Sequence, residues 1–214
     1  MGMKGSARNL LLNAFMGSDC FVRGSRKERT LYLTFDDGPR EEHTPGLLDL
    51  LARYGARATF FVTGYHVERR PEIVERILRA GHEIGNHSYR HTRFGSMRLA
   101  DQLAEIAEMD ELLQRHDERA RHWFRPPQGH LSPSLAWALR RSRRRVALWS
   151  YDSLDYRARA VSELVKRFDE RPVANGEVIL FHDDNPHTLG ALEILLERWR
   201  EERYAFRTLS GPRP

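Results

Sequence analysis

From residue 30 onward the chain alternates short β-branched or aromatic runs with segments of helical periodicity, and this alternation constrains its fold more than any other feature. Leu31–Phe35 reads as a strand, Thr44–Tyr54 as a helix and Ala58–Val62 as a second strand. Pro71 opens a helix at the position where a missing N–H costs nothing, Ile73, Val74, Ile77 and Leu78 form its apolar face, and Gly81 ends it. His82–Gly85 is expected as the third strand, followed by a helix traced by Leu99, Leu103, Ile106 and Leu113. Trp123–Phe124 is a short strand, and Ser132 caps a helix that carries Pro133 in its first turn and runs to about Arg141. Val146–Ser150, a helix over Ser162–Phe168, a strand over Val178–Phe181, a helix from Thr188 bearing Leu192, Leu195 and Trp199, and a last strand in Ala205–Leu209 complete the series. Strand and helix in turn predict an α/β fold, with parallel strands as a barrel or open sheet and the helices outside.

Polar residues gather where these strands end: Asp36-Asp37, Asn86-His87 through His91, Arg125-Pro126-Pro127, Asp152 through Asp155, and His182-Asp183. In parallel α/β folds this is the rim where ligands bind. Two adjacent carboxylates repel at close range, so Asp36-Asp37 is either a polar turn leading into Gly38-Pro39 or a pair whose charge a cation cancels. His87 and His91, four residues apart, reach the same side of a helical turn or tight loop, where they can share a metal. Two histidines and one carboxylate make a three-ligand set with positions left open. One aspartate then suffices as ligand, and the other is free to act as a base toward water. Arg125, stiffened by the two prolines after it, is the natural positive partner for that base.

Each residue also has a plainer reading. Asp152 and Asp155 suit turn caps, His182 a satisfied strand-end histidine, and Arg125 an ordinary ion pair. His43, His66, His82, His116 and His122 read as structural or solvated, while His130 and His187 stand beside motifs as secondary candidates for substrate contact.

TFDDGP, HSYRH, RPPQG, DSLDY and LFHD, in that order, resemble the five motifs of the polysaccharide deacetylases, the NodB-homology group of metal-dependent carbohydrate esterases. The resemblance spans about Leu31 to Leu209, and the length is close to that of the single-domain chitooligosaccharide deacetylases. It implies a distorted (β/α) barrel of about seven parallel strands with outer helices, residues 1–29 being an N-terminal extension and 30–214 the catalytic domain. It further implies a hydrolase that removes N-acetyl groups from N-acetylhexosamine residues of an oligo- or polysaccharide, using a divalent metal, zinc first, with cobalt and nickel as alternatives. By that resemblance Asp36 is the general base, and Asp37, His87 and His91 are the metal ligands. Arg125 orients Asp36, and the Gln128 N–H after Pro126 and Pro127 stabilises the oxyanion. His182 is the general acid, held charged by Asp155, and Tyr156 and Leu180 line the pocket for the acetyl methyl; Pro126 borders the substrate.

Two positions depart from the family pattern. Tyr156 stands where tryptophan is usual, which widens or hydrates the acyl pocket and keeps open a related amide hydrolase, such as a deformylase or a non-sugar amidase. His182 through His187 is unusually polar, as a sugar-binding rim or the start of a helix. A non-heme iron oxygenase shares the two-His-one-carboxylate set, but its usual scaffold is all-β. A catalytically dead sugar-binding relative is disfavoured because every polar role is filled.

The remaining features concern setting. No run of about 18 or more apolar residues spans a membrane. Leu10 through Met16, after Lys4 and Arg8, is short for a secretory signal and is expected to form an amphipathic helix packing through Leu11, Leu12, Phe15 and Met16. The lone Cys20 excludes an intramolecular disulfide and cysteine-based zinc clusters, and the expected compartment is the cytoplasm. The net charge of +5 and the run Arg140–Arg145 invite anionic partners. That run ends a predicted helix, where cations meet the dipole, and no nucleic-acid motif accompanies it. Nucleic acid is therefore not expected, and peripheral contact with an anionic membrane stays open, as does the oligomeric state.

Overall fold

The structure, a computed structural model, describes residues 15–91 and 94–211. Its strands are Cys20–Phe21 (β1), Thr30–Gly38 (β2), Ala58–Val62 (β3), Glu83–Asn86 (β4), Val146–Ala147 (β5), Tyr151–Asp152 (β6), Val178–His182 (β7) and Ala205–Phe206 (β8). The longest, β2, lies between β3 and β7, parallel to both; β4 pairs with β3, and β6 with β7. Phe124 bridges Asn86 to Val146, β1 pairs in parallel with β5, and Arg23 bridges back to Glu177 at the foot of β7. The wall therefore returns on itself, and the fold is the expected distorted α/β barrel. The helices are Thr44–Arg53 (α1), Gly64–Arg69 (α2), Pro71–Arg79 (α3), Leu99–Asp117 (α4), Pro133–Arg141 (α5), Val161–Glu170 (α6) and Pro186–Glu201 (α7).

Strand alternation sorts β2 between two cores. Leu31, Leu33 and Phe35 face outward and pack with Leu47, Leu51, Ile77, Leu195 and Trp199 of the surrounding helices. Tyr32 faces the barrel interior, where it joins Phe61, Trp123, Val178 and Leu209. Each fully buried Leu or Phe is worth about 1.5–3 kcal/mol, so the outer cluster supplies most of the hydrophobic drive. Gly85 faces the same interior: a Cβ there would stand 2.6 Å from the Phe61 ring. On the side where Phe124 alone bridges to both neighbours, a third cluster of Met16, Val22, Phe94, Leu135, Leu139 and Leu148 closes the wall.

Several elements differ from their sequence readings. The expected strand Val146–Ser150 stops at Ala147 as β5, and β6 follows only at Tyr151; between them the carbonyls of Ala147 and Leu148 accept from the Arg125 guanidinium, at 3.3 and 3.2 Å. Trp123–Phe124 contracts to a bridge at Phe124, and the final strand to Ala205–Phe206. The last helix starts earlier, at Pro186, where the Asn185 side chain accepts the His187 N–H at 2.8 Å. The short helix α2 gave no periodic signal. Within the segment read as an N-terminal extension, β1 belongs to the barrel wall and Met16 is buried, whereas Leu11 and Leu12 lie outside the described residues. Among the described residues no helix is long and apolar enough to cross a membrane.

Candidate active site

The polar strand ends meet at one mouth of the barrel, beginning with β2. In a regular strand Asp36 and Asp37 would face opposite sides. Instead Asp37 adopts φ 71° and the pairing with β3 shifts between Asp36 and Gly38, a bulge that turns both carboxylates toward the mouth. Asp36 Oδ1 accepts from Arg125 Nη1 at 2.7 Å, and its Oδ2 lies 3.6 Å from His87 Nε2. Asp37 Oδ1 is buried without a hydrogen-bond donor, 3.5 Å from His87 Nε2 and 3.1 Å from His91 Nε2. The two charges thus face different partners, a guanidinium for one and an imidazole pair for the other.

The histidines come from a tight loop after β4 rather than from a helical turn: Ser88 has φ 66° and His91 φ 61°. His87 Nδ1 donates to the Arg125 carbonyl at 2.8 Å, which leaves Nε2 with its lone pair on the Asp37 side. Glu105 of α4 clamps the loop, its Oε2 accepting the N–H groups of Tyr89 and Arg90 at 3.1 and 2.8 Å. Asn86 braces the start of the loop, accepting the Ser88 N–H at 3.0 Å and donating to Asp110 at 2.9 Å. Asp110 in turn holds Arg144 and lies 3.8 Å from His122; burial works against its charge, but His122 and Arg144 prevail and bring it down to about 2.

Ligand atoms of Asp37, His87 and His91 all lie within 4.8 Å of one another. The orphaned Asp37 oxygen and the free Nε2 atoms fit a divalent cation, and an N,N,O donor set suits zinc well. Burial and the neighbouring His87 push the His91 pKa down, toward the neutral form a ligand needs. Burial would raise Asp37, but the charges of His87, His91, His182 and Arg40 keep it below the usual carboxylate range.

Arg125 is fully buried inside the barrel. Besides Asp36 it donates to Thr34 Oγ1 at 2.8 Å, and its guanidinium lies 4.0 Å from the centre of the Phe61 ring. Across the mouth, at the end of β7, His182 Nδ1 donates to Asp155 Oδ1 at 2.8 Å, while its backbone N–H donates to Asp155 Oδ2 at 2.6 Å. Burial alone would lower the His182 pKa; the Asp155 bond and charge, with Asp36 and Asp37, outweigh it and raise the group to about 9.

A cavity of about 280 Å³ opens between these walls, bordered by Asp36, Asp37, His87, His91, His182 and Gln128, with Leu180 and Tyr156 on the far side. Gln128 takes φ 54° in the turn after the prolines, and the Tyr156 ring stands edge-on to His182 at 5.2 Å. Pro126 does not line the cavity; it is buried in the turn that presents Gln128, and Arg125 and Asp155 likewise act from behind the lining. Neither His130 nor His187 reaches the cavity. Trp149 does, a residue whose only signal in sequence was an aromatic just past a short apolar run. Asp152 lines it too, while its Oδ1 also caps the Leu154 N–H at 3.0 Å as the turn reading expected.

Known proteins share both sequence and architecture. The sequence model of the polysaccharide deacetylase family matches residues 23–147. A peptidoglycan-N-acetylglucosamine deacetylase of Bacillus cereus is 32% identical over 189 residues, covering 86% of this chain and 87% of the relative. The peptidoglycan-N-acetylmuramic acid deacetylase PdaA of Bacillus subtilis is 28% identical, over 89% of this chain and 74% of its own. Among solved structures, a peptidoglycan N-acetylglucosamine deacetylase in complex with an N-hydroxybenzamide compound superposes with a TM-score of 0.84 at 29% identity, covering 89% of this chain and 91% of that one. Matched in sequence across most of its length and in fold across nearly all of the described barrel, the chain belongs to the polysaccharide deacetylase family of carbohydrate hydrolases.

Proposed function

We propose that the chain hydrolyses the acetamide of N-acetylhexosamine residues in a peptidoglycan-type glycan, with a divalent cation held by Asp37, His87 and His91. One observation carries this reading: around a single cavity stand a candidate three-ligand set, a second carboxylate paired to a buried arginine, and a histidine bonded to a carboxylate. A divalent cation there, zinc by the donor set with cobalt or nickel as alternatives, supplies a Lewis acid that polarises a carbonyl and acidifies water. Asp36 takes the proton of the attacking water, and Arg125, bonded to it at 2.7 Å, aims that carboxylate. The Gln128 N–H meets the oxyanion that develops on the acetyl oxygen. His182 passes its proton to the departing nitrogen, and Asp155 stabilises the charged imidazole before the transfer. Leu180, Trp149 and Tyr156 form the apolar wall available to the acetyl methyl.

The names of the relatives support a wall glycan as substrate. Mass spectrometry of peptidoglycan fragments and of neutral N-acetylglucosamine oligomers, incubated with metal-loaded protein, tests the proposal. Loss of one acetyl from a defined ring is expected, and unchanged fragments throughout would defeat it. A second reading, hydrolysis of a smaller acyl group, draws on Tyr156, which is 48% exposed and leaves that side of the pocket open; paired formylated and acetylated sugars separate the two. The compartment belongs to the proposal as well. A wall substrate places the reaction outside the cytoplasm that the lone Cys20 suggested, and cell fractionation decides between them.

A further inference from the structure

Between Glu118 and Asp152 the chain carries eight arginines and no carboxylate. Arg125 and Arg144 are buried against Asp36 and Asp110, and Arg119 lies within 3.7 Å of Asp117. The other five, Arg121, Arg140, Arg141, Arg143 and Arg145, are exposed and form no ion pair among the described residues. Arg53, Arg76, Arg98 and Arg198 on other faces each hold a carboxylate.

The five belong to one surface. Arg121 donates to the Ser142 carbonyl at 2.9 Å, and Arg140 donates to the Phe15 carbonyl at 2.7 Å while its guanidinium lies 5.0 Å from the Phe15 ring centre. Phe15 is 39% exposed and sits 6.5 Å from Trp137, which is 58% exposed one helical turn before Arg141. The helix dipole accounts for Arg140 and Arg141 in the last turn of α5, and Arg145 lies 4.5 Å over the Trp123 ring, but neither accounts for Arg121 and Arg143, nor for two large aromatic rings left exposed. The sequence ahead of Phe15 repeats the combination with Lys4, Arg8 and Leu10 through Leu12.

We infer that this face docks on an anionic phospholipid surface. The guanidinium groups meet lipid phosphates, and Trp137 and Phe15 enter the headgroup layer, where an aromatic ring finds apolar and polar surroundings at once. A phosphate polymer alone would satisfy the arginines but leave the paired rings exposed. Chain direction gives the docked protein its orientation. Gln128, before α5, borders the catalytic cavity, and Val146, after it, starts a parallel strand. The arginine end of α5 is thus at the foot of the barrel, and docking leaves the mouth facing water.

Co-sedimentation of the full chain with vesicles tests this, using phosphatidylcholine alone and phosphatidylcholine mixed with phosphatidylglycerol. Binding is expected only with phosphatidylglycerol, and it should fall as salt rises. Each arginine near such a surface contributes about fivefold, so the combined variant Arg140→Gln, Arg141→Gln, Arg143→Gln should lose roughly a hundredfold in partitioning. Trp137→Ala should weaken binding while retaining the salt dependence, and thermal melts confirm that each variant is folded. Failure of the unaltered chain to bind phosphatidylglycerol vesicles, equal binding by the triple variant, or tighter binding to a DNA duplex than to vesicles would each overturn the inference.

Discussion

Asp36 and Asp37 are chemically identical neighbours that the structure places in different surroundings, and their replacement should separate accordingly. Asp36→Asn keeps the proposed three-ligand set and removes only the proposed base, so bound divalent metal by elemental analysis should stay near that of the parent while acetate release falls by about 10²–10⁴-fold. Asp37→Ala should lose both. The His182–Asp155 pair sets the pH response. A histidine raised to about 9 stays protonated, and able to donate, until the pH passes that value; activity that needs the proton then declines. Asp155→Asn removes the charge that raises it, so the declining limb of the pH–rate profile should move to lower pH, toward the ordinary histidine value of about 6.5. The same sign governs stability: this pair contributes fully below the unfolded pKa, and its contribution is lost as pH rises through about 9.

At the scale of elements, the groups of the candidate active site are placed by strand ends and braced by helices. Glu105 on α4 accepts two N–H groups of the histidine loop. Glu105→Ala leaves both without that acceptor, which should cost about 1–3 kcal/mol in urea unfolding and weaken zinc binding by calorimetry. Gly85→Ala tests the interior of β4: its methyl would meet the Phe61 ring, against which Arg125 rests, and overpacking of this kind costs about 1–3 kcal/mol. Elements long enough to show a full period, such as α1, α3 and α4, were legible because hydrophobic spacing is carried by the segment itself. Gly64–Arg69 was not, since six residues complete fewer than two turns. The break between β5 and β6 was hidden for another reason: the carbonyls there accept from an arginine more than twenty residues earlier.

For the molecule as a whole, the proposed metal site, built from β2 and the loop after β4, ties together segments about 50 residues apart, so occupancy should stabilise the entire barrel. A cation at a hundred times its dissociation constant adds about 2.7 kcal/mol, or roughly 5–11 °C in melting temperature for a domain of this size, and chelation should reverse it. His91→Ala should abolish the response in a thermal shift assay. The chain's own pattern determined the order of strands and helices, the α/β class, and the residue types gathered at the strand ends, because periodicity and turn chemistry act over a few neighbours. The aim of each group was decided only by the tertiary structure. Asp37 reaches the mouth through a bulge that no local signal announces, Asp36 takes its partner from 89 positions away, and the five arginines at the foot are exposed with no ion pair among the described residues. Such contacts come from distant segments held together by the shared core, and no short stretch of sequence contains both sides of them.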